Sequence, residues 1–147
     1  MGAGTLATIA LASLSTPAVT DASTETMKRW GLIGTWSLGC AQPAGMHNSH
    51  TTYQFVASGS VERIRDFGAQ KFTDTVIKAN VGLQGELTMA IQVTNPSGKH
   101  NREEVLFKGP DGRIRTQQNR VADSEDYSVR HGRYGNGAET TWLAKCR

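Results

Sequence analysis

Three groups of side chains in this sequence have types and spacings that carry chemistry. The first is Met46-His47-x-x-His50. A thioether with two imidazoles is a ligand set that suits copper or a haem iron. The three residues fall in a breaker-rich stretch with Pro43 and Gly45, where no helix fixes residues i and i+3 on one face. No Asp, Glu or Cys nearby completes the set. Solvated histidines are the expectation, with no metal and no cofactor, and His100 and His131 stand alone. The second group is basic. Arg63 and Arg65 share one face of an extended segment, and Arg113, Arg115 and Gln117 share another. Turned inward, Arg63 and Arg115 would suit an anionic head group through paired hydrogen bonds. Turned outward, they are solvated charges. Val61 and Phe67 share the parity of Arg63 and Arg65 and point to the inward reading. The cost of burying unpaired arginine points to the outward one, which is the expectation taken here.

The third group is acidic. Glu103 and Glu104 are adjacent, so on a strand they face opposite sides and cannot act as a paired acid and base. Asp123, Glu125 and Asp126 fall in one loop without the spacing of an EF-hand. Serine, histidine and acid residues all occur, but no glycine-flanked nucleophile turn joins them. An enzyme is not expected.

Cys40 and Cys146 are the only cysteines and flank nearly the whole body of the chain. In an oxidising compartment they form one bridge. Closing a loop of about a hundred residues stabilises by up to ~4.7 kcal/mol in the chain-entropy model. The start of the sequence supports such a compartment. Residues 2–14 are small and apolar around Leu6, Ile9, Leu11 and Leu14, and small residues follow up to Ala18 and Ala22. About ten apolar residues are too few to span a bilayer but suit the centre of a secretory signal. No Lys or Arg precedes the run, so its positive end is the terminal amine or lies further upstream. The expectation is a signal peptide over residues 1–22 and one domain over 23–147, periplasmic or secreted, with no membrane span. Cleavage after Ala22 removes Asp21 and leaves 16 basic against 12 acidic residues. The full chain has 16 against 13, a formal charge of +3. Basic residues are scattered among acids, so the clustered footprint of a nucleic-acid binder is missing.

The elements that must hold these groups read as strands. Trp36, Leu38 and Cys40 share a parity, as do Tyr53, Phe55 and Ala57. Leu87, Met89, Ile91 and Val93 alternate with Thr88, Ala90, Gln92 and Thr94. Pro110-Asp111-Gly112 marks a tight hairpin, and Tyr127 to Tyr134 reads as one short strand. Met27 to Ile33 reads as a short helical turn whose Trp30 plugs one end. Otherwise there is no amphipathic helix. About eight or nine short strands at regular spacing make an all-β meander, and closing it would dispose of its edges.

Leu32-Ile33-Gly34-Thr35-Trp36, at the head of this meander, resembles the opening Gly-x-Trp signature of the calycins: lipocalins, fatty-acid-binding proteins and avidins. Ser124-Glu125-Asp126-Tyr127 is similar to a late turn of lipocalin barrels. The resemblance implies an all-β, up-and-down antiparallel barrel of about eight strands, with Gly34 and Trp36 as structural residues and Trp36 closing the base. The chain departs from lipocalins in its shorter length, its lack of a C-terminal helix and its bridge between the first and last strands. It also looks like small exported proteins of Gram-negative bacteria that begin Gly-Thr-Trp-x-Leu-x-Cys and end with a cysteine. Two functions follow. One is a carrier or sensor of a small apolar or amphipathic ligand, lined by Tyr53, Phe55, Phe72, Met89 and Phe107, with Met89 nearest the ligand. The other is a cell-envelope protein-interaction module, such as a protease or lysozyme inhibitor, working through loops 41–50 and 95–101.

Overall fold

The computed structural model describes Met1 and residues 22–147. The expected signal segment lies outside the described residues apart from its two ends. The first element is a helix, α1 (Ala22–Trp30), with Glu25 in its first turn and Lys28 and Arg29 in its last. That placement matches the helix dipole. Thr24, Met27 and Trp30, three residues apart, form its buried face. The helix ends in a Schellman closure, in which Leu32 N–H donates to Met27 C=O and Gly31 N–H to Lys28 C=O, both at 3.0 Å. Three polar bonds fasten it across one end of the sheet. Thr24 Oγ1 donates to Gly59 C=O at 2.9 Å, Ala79 N–H to Ser23 Oγ at 3.1 Å, and Trp30 Nε1 to Gly85 C=O at 2.8 Å. The expected helical turn over Met27–Ile33 is thus corrected to a longer helix that starts earlier. The sequence concealed it because one of its three buried positions is a threonine.

Ten antiparallel strands follow: β1 (Gly34–Ser37), β2 (His50–Phe55), β3 (Val61–Asp66), β4 (Lys71–Val81), β5 (Leu87–Asn95), β6 (Gly98–Lys108), β7 (Ile114–Val121), β8 (Tyr127–Arg130), β9 (Arg133–Tyr134) and β10 (Ala144–Cys146). From β1 to β9 each strand pairs with the next in sequence, and β10 returns to pair with β1, giving one sheet in the order β10-β1-β2-β3-β4-β5-β6-β7-β8-β9. The ladder is not closed. Among the described residues, an isolated bridge joins the start of β7 to the segment before β10, where Ile114 and Leu143 exchange backbone hydrogen bonds of 3.0 and 2.8 Å. The expected single strand from Tyr127 to Tyr134 is two strands. Arg130 pairs with Arg133, and the two residues between them, His131 and Gly132, have φ of 52° and 71°. Two positive φ values in a two-residue loop make the turn that matches strand twist.

Side-chain parity sorts the two faces. On β5, Leu87, Met89, Ile91 and Val93 are buried and their alternates are not. On β4, Asp74 and Val76 are buried, and so is Ala79, which has the other parity. A register shift between Val76 and Lys78 accounts for this, because the bulged Ile77 reverses the alternation. A second shift between Val105 and Leu106 puts Thr116 opposite Leu106 and Gln118 opposite Val105. The apolar core fills the end covered by α1, where Met27, Leu32, Trp36, Leu87, Met89 and Val61 are all within 2% of fully buried.

Cys40 and Cys146 are bonded, with Cα atoms 5.3 Å apart and 106 residues between them in sequence. Cys40 lies in the turn beyond β1 rather than in the strand. The bridge therefore pins the last strand to the end of the first.

Candidate functional site

Away from α1 the inner face of the sheet is charged. Directly paired residues point to the same side of a sheet. The register sets Tyr53 beside Arg63, Arg63 beside Asp74, and Met89 beside Glu104. Arg63, Asp74 and Glu104 are all buried. Arg63 Nε donates to Asp74 Oδ2 at 2.8 Å, and its Nη1 donates to Glu104. Arg65 grips the same carboxylate from the other side, with Nε to Oδ2 at 2.7 Å and Nη2 to Oδ1 at 3.0 Å. Thr94 N–H donates to Asp74 Oδ1 at 2.8 Å, and Thr116 Oγ1 to Glu104 Oε1 at 2.9 Å. The expectation that Arg63 and Arg65 are solvated is corrected. Burying arginine is costly when it is unpaired, and here Asp74 and Glu104 supply the charge.

The ionisation of this cluster follows from its partners. Burial pulls the Asp74 carboxyl upward, but the Arg65 hydrogen bonds, the Arg63 charge and the Thr94 N–H outweigh it and hold Asp74 below its ordinary value. Burial likewise opposes the Arg63 charge, and Glu104, Tyr53 and Asp74 overcome it, leaving Arg63 above its ordinary value. Tyr53 moves the other way for its type. Burial, reinforced by Glu104, pushes its phenol well up, so it stays protonated.

Above this cluster lies a cavity of about 590 Å³. Trp36, Leu106, Ile114 and Leu143 are among its apolar lining residues, and Arg63, Arg65, Arg102, Arg115 and Glu104 among its charged ones. Trp36 is buried, and its Nε1 donates to Leu32 C=O at 2.7 Å. Gly34 explains the other half of the Gly-x-Trp pair. Its φ is 131°, and a Cβ there would meet the Lys145 stem at 2.7 Å. Arg102 and Arg115 differ from the buried pair. Arg102 donates from Nε to Asn119 Oδ1 and from Nη2 to Ser128 Oγ, both neutral acceptors. Arg115 lies over the Trp142 ring with Cζ 4.9 Å from its centre. Arg115 Nε is buried and has no hydrogen-bond partner among the described residues.

Leu38, Met46, His47 and Tyr134 stand at the cavity's exposed edge. The segment carrying Met46 and His47 is braced by one side chain. Asn48 Oδ1 accepts from Gly39 N–H and Ser37 Oγ, both at 2.8 Å, while its Nδ2 donates to Gly39 C=O at 3.0 Å and Pro43 C=O at 3.2 Å. His50 is not in this loop but opens β2.

Of the residues the sequence suggested as lining, Tyr53, Arg63 and Arg115 border the cavity, whereas Phe55, Phe72, Met89 and Phe107 do not. Met89 belongs to the filled core. Phe107 has the opposite parity to the buried Glu104 and Leu106. Phe55 ends β2 and is 44% exposed. Phe72 packs edge-on against Phe67, with centroids 6.2 Å apart, beneath the Arg65 guanidinium. Sequence reading missed Asp74, Glu104 and Arg102. Their signal was a charge on the buried parity of two strands: Asp74 beside Val76 on β4, and Arg102 and Glu104 in line with Leu106 on β6. Comparison with family models, with curated proteins and with solved structures finds no match.

Proposed function

We propose that this chain is an exported, non-enzymatic binding protein that takes one small amphipathic molecule into the cavity between Trp36 and Arg102. The observation that carries this reading is the lining itself: Trp36, Leu106, Ile114 and Leu143 border the same 590 Å³ space as Arg63, Arg65 and Arg102. That volume lies in the usual range for small-molecule sites, which pair an apolar wall with a few oriented polar groups. A purely apolar ligand would leave the arginines desolvated without a partner, so the amphipathic ligand is favoured over it. The meander of antiparallel neighbours and the Ile114–Leu143 bridge support an up-and-down barrel of calycin type, with Trp36 at its base. The disulfide and the apolar start of the sequence support a periplasmic or secreted location. Among the described residues, no helix is long and apolar enough to cross a membrane.

The test is fluorescence of anilinonaphthalene sulfonate added at micromolar concentration. Enhancement is expected with the parent protein and is lost in Val93→Trp, which fills the cavity from β5. No enhancement, or equal enhancement in both proteins, refutes the reading. The Asn48-braced loop favours a second one, an envelope module that docks a protein partner through Leu38 and Met46, which are 58% and 76% exposed. Under that reading the cavity variant keeps full partner affinity, and Met46→Asp loses it.

A further inference from the structure

Five charged side chains of the cavity wall and its support share the inner parity of the sheet. Arg63 pairs in register with Asp74, and Glu104 with the buried Met89. Arg65 and Arg102 stand two residues from Arg63 and Glu104 on the same strands, and Arg102 pairs with the buried Ile91. Three guanidiniums thus meet two carboxylates, an excess of one positive charge. The ion pairs locate it. Arg63 bonds to Asp74 and Glu104, and Arg65 to Asp74, whereas Arg102 forms no ion pair among the described residues. Its partners are neutral. Arg102 donates from Nε to Asn119 Oδ1 and from Nη2 to Ser128 Oγ at 2.9 Å, and Ser128 Oγ lies 3.3 Å from Asn119 Oδ1. Asn119 pairs in register with Glu104 and so shares its face. All three side chains border the cavity. Arg102 Nη1 has no hydrogen-bond partner among the described residues. A guanidinium oriented by neutral groups keeps its charge for a ligand, and its planar fork matches an oxyanion. Arg115 stands apart: the register pairs it with Phe107, on the opposite face from Arg102, and it stacks on Trp142.

We infer that Arg102, positioned by Asn119 and Ser128, anchors the head group of the ligand, and that this head group is an oxyanion of one negative charge, as a carboxylate is. The Arg63–Asp74–Glu104–Arg65 cluster is neutral in sum once Arg102 is set aside with the excess charge, and it holds β3, β4 and β6 together. A monoanion beside Arg102 cancels the one spare charge. A neutral ligand leaves that charge desolvated without a partner. A dianion brings a second negative charge onto a wall that already carries Glu104. The inference rests on the cavity being the binding site, as proposed above.

Calorimetric titration with 1-naphthoate, 1-naphthyl phosphate and 1-naphthalenemethanol tests it, since the three share one ring system and differ in charge. At about pH 8 the phosphate monoester carries close to two charges, the carboxylate one and the alcohol none. Naphthoate should bind most tightly, roughly tenfold or more above the alcohol, the scale of one charged hydrogen bond. Arg102→Gln should remove that preference while leaving the affinity for the alcohol unchanged. Asn119→Asp is nearly isosteric and gives Arg102 a carboxylate partner, so it should remove the preference with the guanidinium still in place. It carries the test if Arg102→Gln does not fold. Arg113→Gln removes an exposed arginine paired with Asp111 outside the cavity and should change nothing. The subsite is overturned if naphthoate does not bind, or if the alcohol or the phosphate binds as tightly. It is also overturned if the preference survives in either variant, or if acid and alcohol weaken together. If anilinonaphthalene sulfonate still depends on Val93 in that case, the subsite alone has failed. If that dependence is also missing, the binding reading has failed with it.

Discussion

Asp74 accepts four hydrogen bonds, from Arg63, twice from Arg65 and from the Thr94 backbone, with no exposure to solvent. Removing one partner of a buried ionic cluster strands the others, so Asp74→Ala should destabilise the protein by ~3–5 kcal/mol in urea unfolding. A loss below ~1 kcal/mol would mean that Arg65 and Glu104 re-pair without it. The pH dependence has a definite sign. A carboxyl held below its unfolded value stabilises the native state above the unfolded pKa of about 3.9, and that contribution is lost as pH falls through the lower folded value. Melting temperature should therefore fall on acidification below about pH 4, and fall less in Asp74→Asn. Trp36→Ala removes part of the cavity lining and should cost ~3–5 kcal/mol. At this scale the sequence disclosed less than it held. Trp36 and the cysteines were legible because their types are rare and their positions conspicuous, and Gly34 because it stands two residues before Trp36. The direction of Arg63 was not, because it depends on acids 11 and 41 residues away in sequence. No local rule couples those positions.

Among the elements, legibility followed the strength of the alternation. β5 reads from its sequence because every second residue is apolar and no bulge interrupts it. β4 and β7 each carry a register shift, so their inward residues change parity midway, and a reader who keeps strict period two misassigns half of each strand. The β8–β9 hairpin was hidden for another reason: its loop is His131-Gly132, and His131 adopts positive φ, which only a few per cent of non-glycine residues do. The disulfide acts at this scale too. β10 has three residues and, among the described residues, pairs with β1 alone, so few ladder bonds hold it. Replacing both Cys40 and Cys146 by serine should cost ~2–4 kcal/mol. Amide exchange of Lys145 should rise more than that of β5. Uniform loss of protection across the sheet would show instead that the bridge acts only through the unfolded chain.

Across the whole molecule, two parts of the inner face do different work. α1 and the Met89–Leu87–Val61 core make one region dry and filled, whereas Trp36, Tyr53 and Val93 of the same core join the charged Arg63–Glu104 pair in lining a cavity. The all-β meander and its clasp were legible because strand alternation and cysteine position are properties of the chain. The cavity was not, since an empty volume depends on how side chains from six or more strands meet. If this cavity is the ligand site, an NMR titration with anilinonaphthalene sulfonate locates the probe there residue by residue. Chemical-shift changes are expected to concentrate at the Trp36 indole, Val93 and Thr116, with the exposed Ile77, Val81 and Leu83 unmoved. Changes confined to those exposed residues, or no change at saturating probe, would contradict the cavity as ligand site.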